Sequence, residues 1–345
     1  MIDGFRGVAI LSVLMFHYLV RWRMPEYNGD LLGYDVRFSA FFDVGRFGVQ
    51  LFFVISGLVI TMTLQGAKSA GAFAVKRFAR IYPAFLVAMP LTFLIMSWIG
   101  PEEMQTEWSD VVANLTLFPE ELGRQYVDGA YWSLNVELKF YAWMTVFRLI
   151  LGSRFWIGAL ALAVAGQIVA QVNHSIASFV MINAHMPLFL LGIGGWFAIY
   201  EKRIRLGALL MAAAPILWCF AVAGGGVYGA DLNHLAPHLF IWLLSAAMLG
   251  LLAFAPDVRF GALAWVGRIS YSLYLVHQNI GVTLIGLMKR AHAPDWIAFI
   301  VSAGFSVALA ALIYRFVEGP AKSWILGVYN GLRAPREARA GAPPD

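Results

Sequence analysis

Charge is in short supply in this sequence. Of 345 residues, 13% are Asp, Glu, Lys or Arg, about half of the roughly 25% that a soluble domain carries. That deficit excludes an ordinary water-facing globule. Cysteine is nearly absent as well: the single Cys219 rules out an internal disulfide and any CxxC metal or redox pair. It lies in an apolar run with no His or other base beside it, so it is read as a buried, inert thiol. There is no GxxxxGK(S/T) or GxGxxG phosphate loop and no ligand spacing for zinc or calcium, so no metal is expected. The first apolar run has no Lys/Arg n-region and no small-residue cleavage site after it, which argues against a secretory signal.

What is present is apolar. Hydrophobic residues make up 60% and aromatics 15%, with 12 Trp, and the mean hydropathy is +0.71. A membrane span needs roughly 20 apolar residues. Runs of about that length, some shorter, fall near 5–22, 46–64, 79–99, 132–151, 155–172, 186–200, 206–224, 236–254, 265–288 and 296–317. The fold class is therefore all-α, a polytopic membrane helix bundle of about ten transmembrane helices, with membrane lipid as its surroundings. The net charge of +5 does not imply a nucleic-acid partner, because the basic residues are distributed by loop. Fifteen of the 25 Lys and Arg residues fall on one side of the spans and seven on the other. The richer side is the cytoplasmic one, which puts both termini in the cytoplasm. The acidic connection with Glu102, Glu103, Glu107, Asp110, Glu120 and Glu121 then lies outside. The two longest connections, 23–45 and 100–131, are external and too short to form a domain; either a lid or a plain surface loop fits them. From Ala334 onward the composition is that of a disordered tail.

A charge at membrane depth costs about 2.5–3.5 kcal/mol on insertion scales, so each one calls for a reason. The first span carries Asp3, Arg6 and His17. Arg6 and His17 are eleven residues apart, which is close to three helical turns, so they share a face about 16 Å apart along the axis. The fourth span opens with Trp132, Ser133 and, one turn deeper, Glu137. By depth, Glu137 and His17 lie at a similar level in the outer half, where a carboxylate can orient an imidazole for acid–base work. The ninth span adds His277, with Ser270, Tyr271 and Tyr274 below it. At the cytoplasmic end of the third span, Arg77 and Arg80 share a face at the level of Arg6, followed by Tyr82. Arginine's fork of donors suits phosphate, although arginines at a cytoplasmic helix end also serve as ordinary topology signals. His17 and His277 each have a structural alternative as hydrogen-bonded core residues. Arg315 and Glu318 are placed to pair with one another, and Ser56-Gly57 reads as a close helix-packing element.

The sequence at this point resembles the membrane acyltransferase-3 family. The resemblance is carried by Asp3-Gly4-Phe5-Arg6-Gly7 with His17, by Phe52-Phe53-Val54-Ile55-Ser56-Gly57-Leu58, and by Arg77-Phe78-Ala79-Arg80-Ile81-Tyr82-Pro83. It continues in Trp132-Ser133-Leu134 with Glu137, in Ile269–His277, and in Glu318-Gly319-Pro320. It covers essentially the whole chain except the tail. The implied division is an integral membrane acyltransferase domain at 1–320 and a cytoplasmic, partly disordered tail at 321–345. The implied activity moves an acyl group, most often acetyl, from cytoplasmic acyl-CoA (acetyl-CoA in the usual case) to a hydroxyl of an exported or cell-surface carbohydrate or glycolipid, in the bacterial cytoplasmic membrane. On that reading His17 and Glu137 are catalytic, and Arg6, Arg77, Arg80 and Tyr82 bind the donor. Asp3, Trp132, Ser133, Ser270, Tyr271 and His277 bind substrate or support the site. The rival from the residues alone is a secondary transporter or flippase with a buried His/Glu proton relay, which does not account for the order of the motifs. Acceptor sugar, acyl length and oligomeric state are not encoded in any of these features.

Overall fold

A computed structural model describes residues 1–23, 32–34, 40–223 and 235–333. All regular structure among the described residues is helical. The principal helices are α1 (Ile2–Leu19), α2 (Gly48–Gln65), α3 (Ala70–Ile99), α4 (Trp108–Asn114), α5 (Trp132–Leu151) and α6 (Phe155–Ala170). They are followed by α7 (His174–Phe179), α8 (Met186–Ile199), α9 (Ile204–Ala223), α10 (Leu235–Phe254) and α11 (Ala262–Arg268). The chain continues through α12 (Ser270–Val276), α13 (Gln278–Arg290), α14 (Asp295–Ile313), a π turn (Tyr314–Glu318) and α15 (Gly319–Arg333).

Among the described residues, six stretches are long and apolar enough to cross a membrane: Ile2–Leu19, Phe42–Gln65, Ala70–Ile99, Gly129–Ala170, Ile204–Val222 and Asp295–Leu332. Met186–Ile199 and Leu239–Phe254 are shorter apolar helices. Each of the ten expected runs carries helix, with three changes of boundary. The third begins at Ala70 rather than 79, because the Ser69 side chain accepts from Ala72 N at 3.1 Å and caps it there. The ninth is broken into α11, α12 and α13. The last does not stop near 317: a π turn carries it into α15 as far as Arg333. Residues 334–345, expected to be disordered, lie outside the described residues, as does most of the 23–45 connection.

Large apolar side chains point outward along the bundle, among them Trp98, Leu149, Ile150, Phe254 and Trp296. In water such a surface would aggregate; in lipid it is the ordinary exterior. Cys219 belongs to this exterior. The buried thiol expected from its apolar neighbours is therefore corrected, since an apolar run in a membrane helix does not say which face is inward.

Where lipid removes the hydrophobic drive between helices, close packing through small residues holds them together. The crossing of α2 and α8 is built this way. A Cβ at Gly57 would lie 2.1 Å from the Phe189 carbonyl oxygen, and one at Gly192 would lie 2.0 Å from that of Val54. The outer connection between α3 and α5 is itself folded. Asp110 and Asn114 on α4 bind the backbone of Gln125 and Val127. The buried Asp128 carboxylate then accepts from Ala130 N at 2.8 Å and Asn279 N at 3.0 Å. This ties the connection to α13 two residues past His277.

Candidate functional site

The polar residues of the motifs form two adjoining layers in the interior. The deeper is a cavity lined by residues of α1, α2, α3, α5 and α12. Arg6, Arg77 and Arg80 all line it, so the three guanidinium groups expected at one level do meet. Arg6 lies 3.7 Å from Asp3, one turn earlier. Arg77 donates to Thr63 Oγ1 at 3.1 Å and stands over the rings of Phe73 and Tyr141. Arg80 stands over the Tyr271 ring at 5.2 Å and forms an ion pair with Glu318. Glu318 is 2% exposed and also accepts from Ser272 at 2.7 Å. The expected Arg315–Glu318 pair is therefore corrected: Glu318 turns inward to Arg80, while the exposed Arg315 lies over Phe316. The π turn accounts for this, because its wider winding rotates residues 314–318 away from the register that i,i+3 spacing assumes.

Glu137 is on the wall of the same cavity, where its carboxylate accepts from Ser56 at 2.7 Å and from Tyr141. Ser56 is thus more than a packing residue. Ser133 and Ser270 line the cavity too. Ser133 donates to Tyr274 Oη at 2.8 Å, and Tyr271 donates to the Ile81 carbonyl at 2.7 Å. Both protons are therefore engaged. Tyr82 does not line the cavity but stacks on Phe78 at 4.7 Å. Trp132 packs against Phe53 and His185 rather than facing the cavity.

The second layer lies one turn along α12. His17 Nδ1 and His277 Nε2 are 2.8 Å apart, and His277 Nδ1 is 2.9 Å from the Tyr274 carbonyl oxygen. The expected His17–Glu137 contact is replaced by this one. Depth arguments put Glu137 and His17 at one level but cannot say which neighbour α1 faces there, and it faces the junction of α12 and α13. Tautomers follow from donor and acceptor chemistry. A carbonyl only accepts, so the His277 proton is on Nδ1. Its Nε2 then carries the lone pair and accepts from His17 Nδ1–H, which leaves His17 Nε2 unprotonated. Among the described residues that nitrogen has no hydrogen-bond partner. Tyr18 donates to the His277 carbonyl at 2.7 Å and shares a hydrogen bond with Ser306 at 2.8 Å, securing the α12–α13 junction.

Sequence reasoning gave Ser56 a packing role alone and passed over Tyr141 and Asp128. The first two were legible only as members of helices. Asp128 sits at the foot of the outer connection, where burial pushes its carboxyl up to about 6 against the two backbone N–H groups that it binds.

Comparison with known proteins agrees with the motif order. The family profile described as an acyltransferase domain matches residues 1–315. Nodulation protein 10 of Rhizobium leguminosarum bv. viciae is 30% identical over 354 residues, covering 92% of each chain. The O-acetyl transferase of Shigella phage Sf6 is 25% identical, covering 92% of this chain and 94% of its own. Peptidoglycan O-acetyltransferase OatA of Listeria monocytogenes is 24% identical over 96% of this chain, which spans 57% of that protein's length. No solved structure matches. A profile that runs from the helix of Arg6 and His17 into the π turn, on a bundle of lipid-exposed helices, shows that this chain belongs to the acyltransferase-3 family and is a multi-pass membrane enzyme of the O-acetyltransferase class.

Proposed function

We propose that the protein transfers an acyl group, acetyl in the first instance, from cytoplasmic acyl-CoA to a hydroxyl of an exported or cell-surface carbohydrate. It does so in the bacterial cytoplasmic membrane with both termini inside. The bias of Lys and Arg toward one set of loops supports that orientation. The carbohydrate class is supported by the relatives named above, one of which is named for acting on peptidoglycan.

The observation that carries the reading is the buried His17–His277 hydrogen bond, which leaves His17 Nε2 as a base. His17 takes the proton of the acceptor hydroxyl at Nε2. His277 holds the ring and, through its own bond to the Tyr274 carbonyl, keeps the tautomer from inverting. When His17 becomes protonated, the hydrogen bond to His277 stabilises the imidazolium in a medium of low dielectric. Acyl-CoA supplies the activated acyl carbonyl and a thiolate leaving group. Its phosphates suit Arg6, Arg77 and Arg80, whose fixed forks of donors match phosphate oxygens. The axial gap of about 16 Å between Arg6 and His17 suits an extended pantetheine arm. Glu137 is assigned to the cavity wall, where it keeps Ser56 and Tyr141 in position, rather than to orienting His17.

Membranes containing the protein, supplied with radiolabelled acetyl-CoA and a panel of glycans, should transfer label to a glycan in a manner that requires His17. Movement of a glycan across the membrane without acylation would instead support a transporter and remove the proposal.

A further inference from the structure

A second chamber of about 390 Å³ opens at the end of the bundle that carries the N-terminus of α1. Arg6 and Arg80 line both it and the inner cavity, so the two spaces meet at these side chains. The outer chamber adds two cations that the inner one lacks, Arg268 at the end of α11 and Lys322 on α15. Its two carboxylates are already engaged, Asp3 with Arg6 and Glu318 with Arg80. Arg268 and Lys322 are both exposed, and neither has an ion-pair or hydrogen-bond partner among the described residues. Four cations from four helices thus surround a polar space with only two acids. Two cations remain uncompensated, and like charges held together in this way favour an anion between them.

We propose that this chamber is a phosphate-anion subsite in which Arg268 and Lys322 hold the 3′-phosphate of acyl-CoA, while Arg6 and Arg80, which line both spaces, meet its diphosphate together with Arg77. The assignment rests on the donor reading above and adds to it two residues from outside the motif arginines. The nucleotide end is the most highly charged part of that donor, carrying a 3′-phosphate monoester and a diphosphate. It therefore stays where cations are accessible to water, while the uncharged arm enters the bundle. A phospholipid headgroup offers the same phosphate chemistry, so the test must separate the two sources.

The experiment measures binding of CoA and of 3′-dephospho-CoA to the full-length protein in nanodiscs, one set of phosphatidylcholine alone and one containing phosphatidylglycerol. Wild-type protein should prefer CoA, and R268Q and K322Q should each weaken CoA binding about tenfold, as expected for the loss of one charge-assisted contact. The double variant should bind the two ligands alike, and K322R should restore the preference. Both positions are exposed, so helicity and thermal midpoint should match wild type. If wild-type protein binds CoA and the double variant binds it equally well, the subsite is refuted while the donor reading stands. If wild-type protein binds no CoA in either disc, both fall. If phosphatidylglycerol excludes CoA from the wild type but not from the double variant, the chamber belongs to lipid headgroups and the proposal is overturned.

Discussion

His17 and His277 stand 260 positions apart in the chain, yet their ring nitrogens approach to 2.8 Å in the buried interior. One ring orients the other, and the second is itself held by a backbone carbonyl of its own helix. Such a pair can hold a base in one tautomer without a carboxylate, and it divides the roles of the two residues sharply.

His17→Ala should abolish acyl transfer, a fall of about 10²–10⁴ for removal of a general base, with the protein still accumulating in the membrane. His277→Ala should cost less, because the basic nitrogen survives while its orientation is lost. The check is a kcat comparison of the two variants at equal membrane abundance. Transfer at the wild-type rate by His17→Ala would remove the base assigned here.

The ion pair between Arg80 and Glu318 is asymmetrically buried, at 19% and 2% exposure. Removing only the arginine leaves a buried carboxylate without its partner, a loss of about 3–5 kcal/mol in comparable cases. Arg80→Ala should therefore lower the thermal midpoint, and adding Glu318→Gln should restore much of it. A double variant no more stable than Arg80→Ala would show that the pair does not act as a unit.

Gly57 and Gly192 allow α2 and α8 to touch backbone to backbone. Gly57→Val puts two methyl groups where even a Cβ has no room, so the helices must separate and their packing is lost. The expected outcome is a destabilisation of about 1–3 kcal/mol or more, read as reduced accumulation and a lower melting temperature in detergent. Wild-type behaviour on both counts would contradict the crossing.

Asp128 provides a pH test outside the spans. Burial raises its carboxyl from 3.8 to about 6, so between those values the folded protein binds more protons than the unfolded chain. Its contribution to stability is then fully present below about pH 3.8 and lost as pH rises through about 6. Asp128→Asn should flatten the dependence of melting temperature on pH across that window. It should also lower stability near neutrality, because an amide has one oxygen for the two N–H groups of Ala130 and Asn279. An unchanged pH slope would remove Asp128 as its source.

Much of the site could be read from the chain because helix geometry is local. Arg6, Arg77 and Arg80 were expected at one level from residue rise alone, and they line one cavity. Eleven-residue spacing directed Arg6 and His17 inward together, and His17 is 5% exposed. Tyr82 was grouped with its neighbouring arginines because the motif is contiguous, yet one residue of helix turns its ring toward Phe78 and away from the cavity. Cys219 failed for the same reason: apolar character places a residue in the membrane without choosing between lipid and core.

The chain by itself determined a bundle of apolar helices and the depth of each charge along its own axis, since length, hydropathy and the 3.6-residue turn act within a single segment. Tertiary structure alone decided the partners: His17 with His277, Arg80 with Glu318, and Glu137 with Ser56 and Tyr141. Those choices depend on which helices are neighbours and on the turn offsets produced by a broken helix and a π turn. Both are settled by packing across hundreds of residues, and no window of sequence contains them.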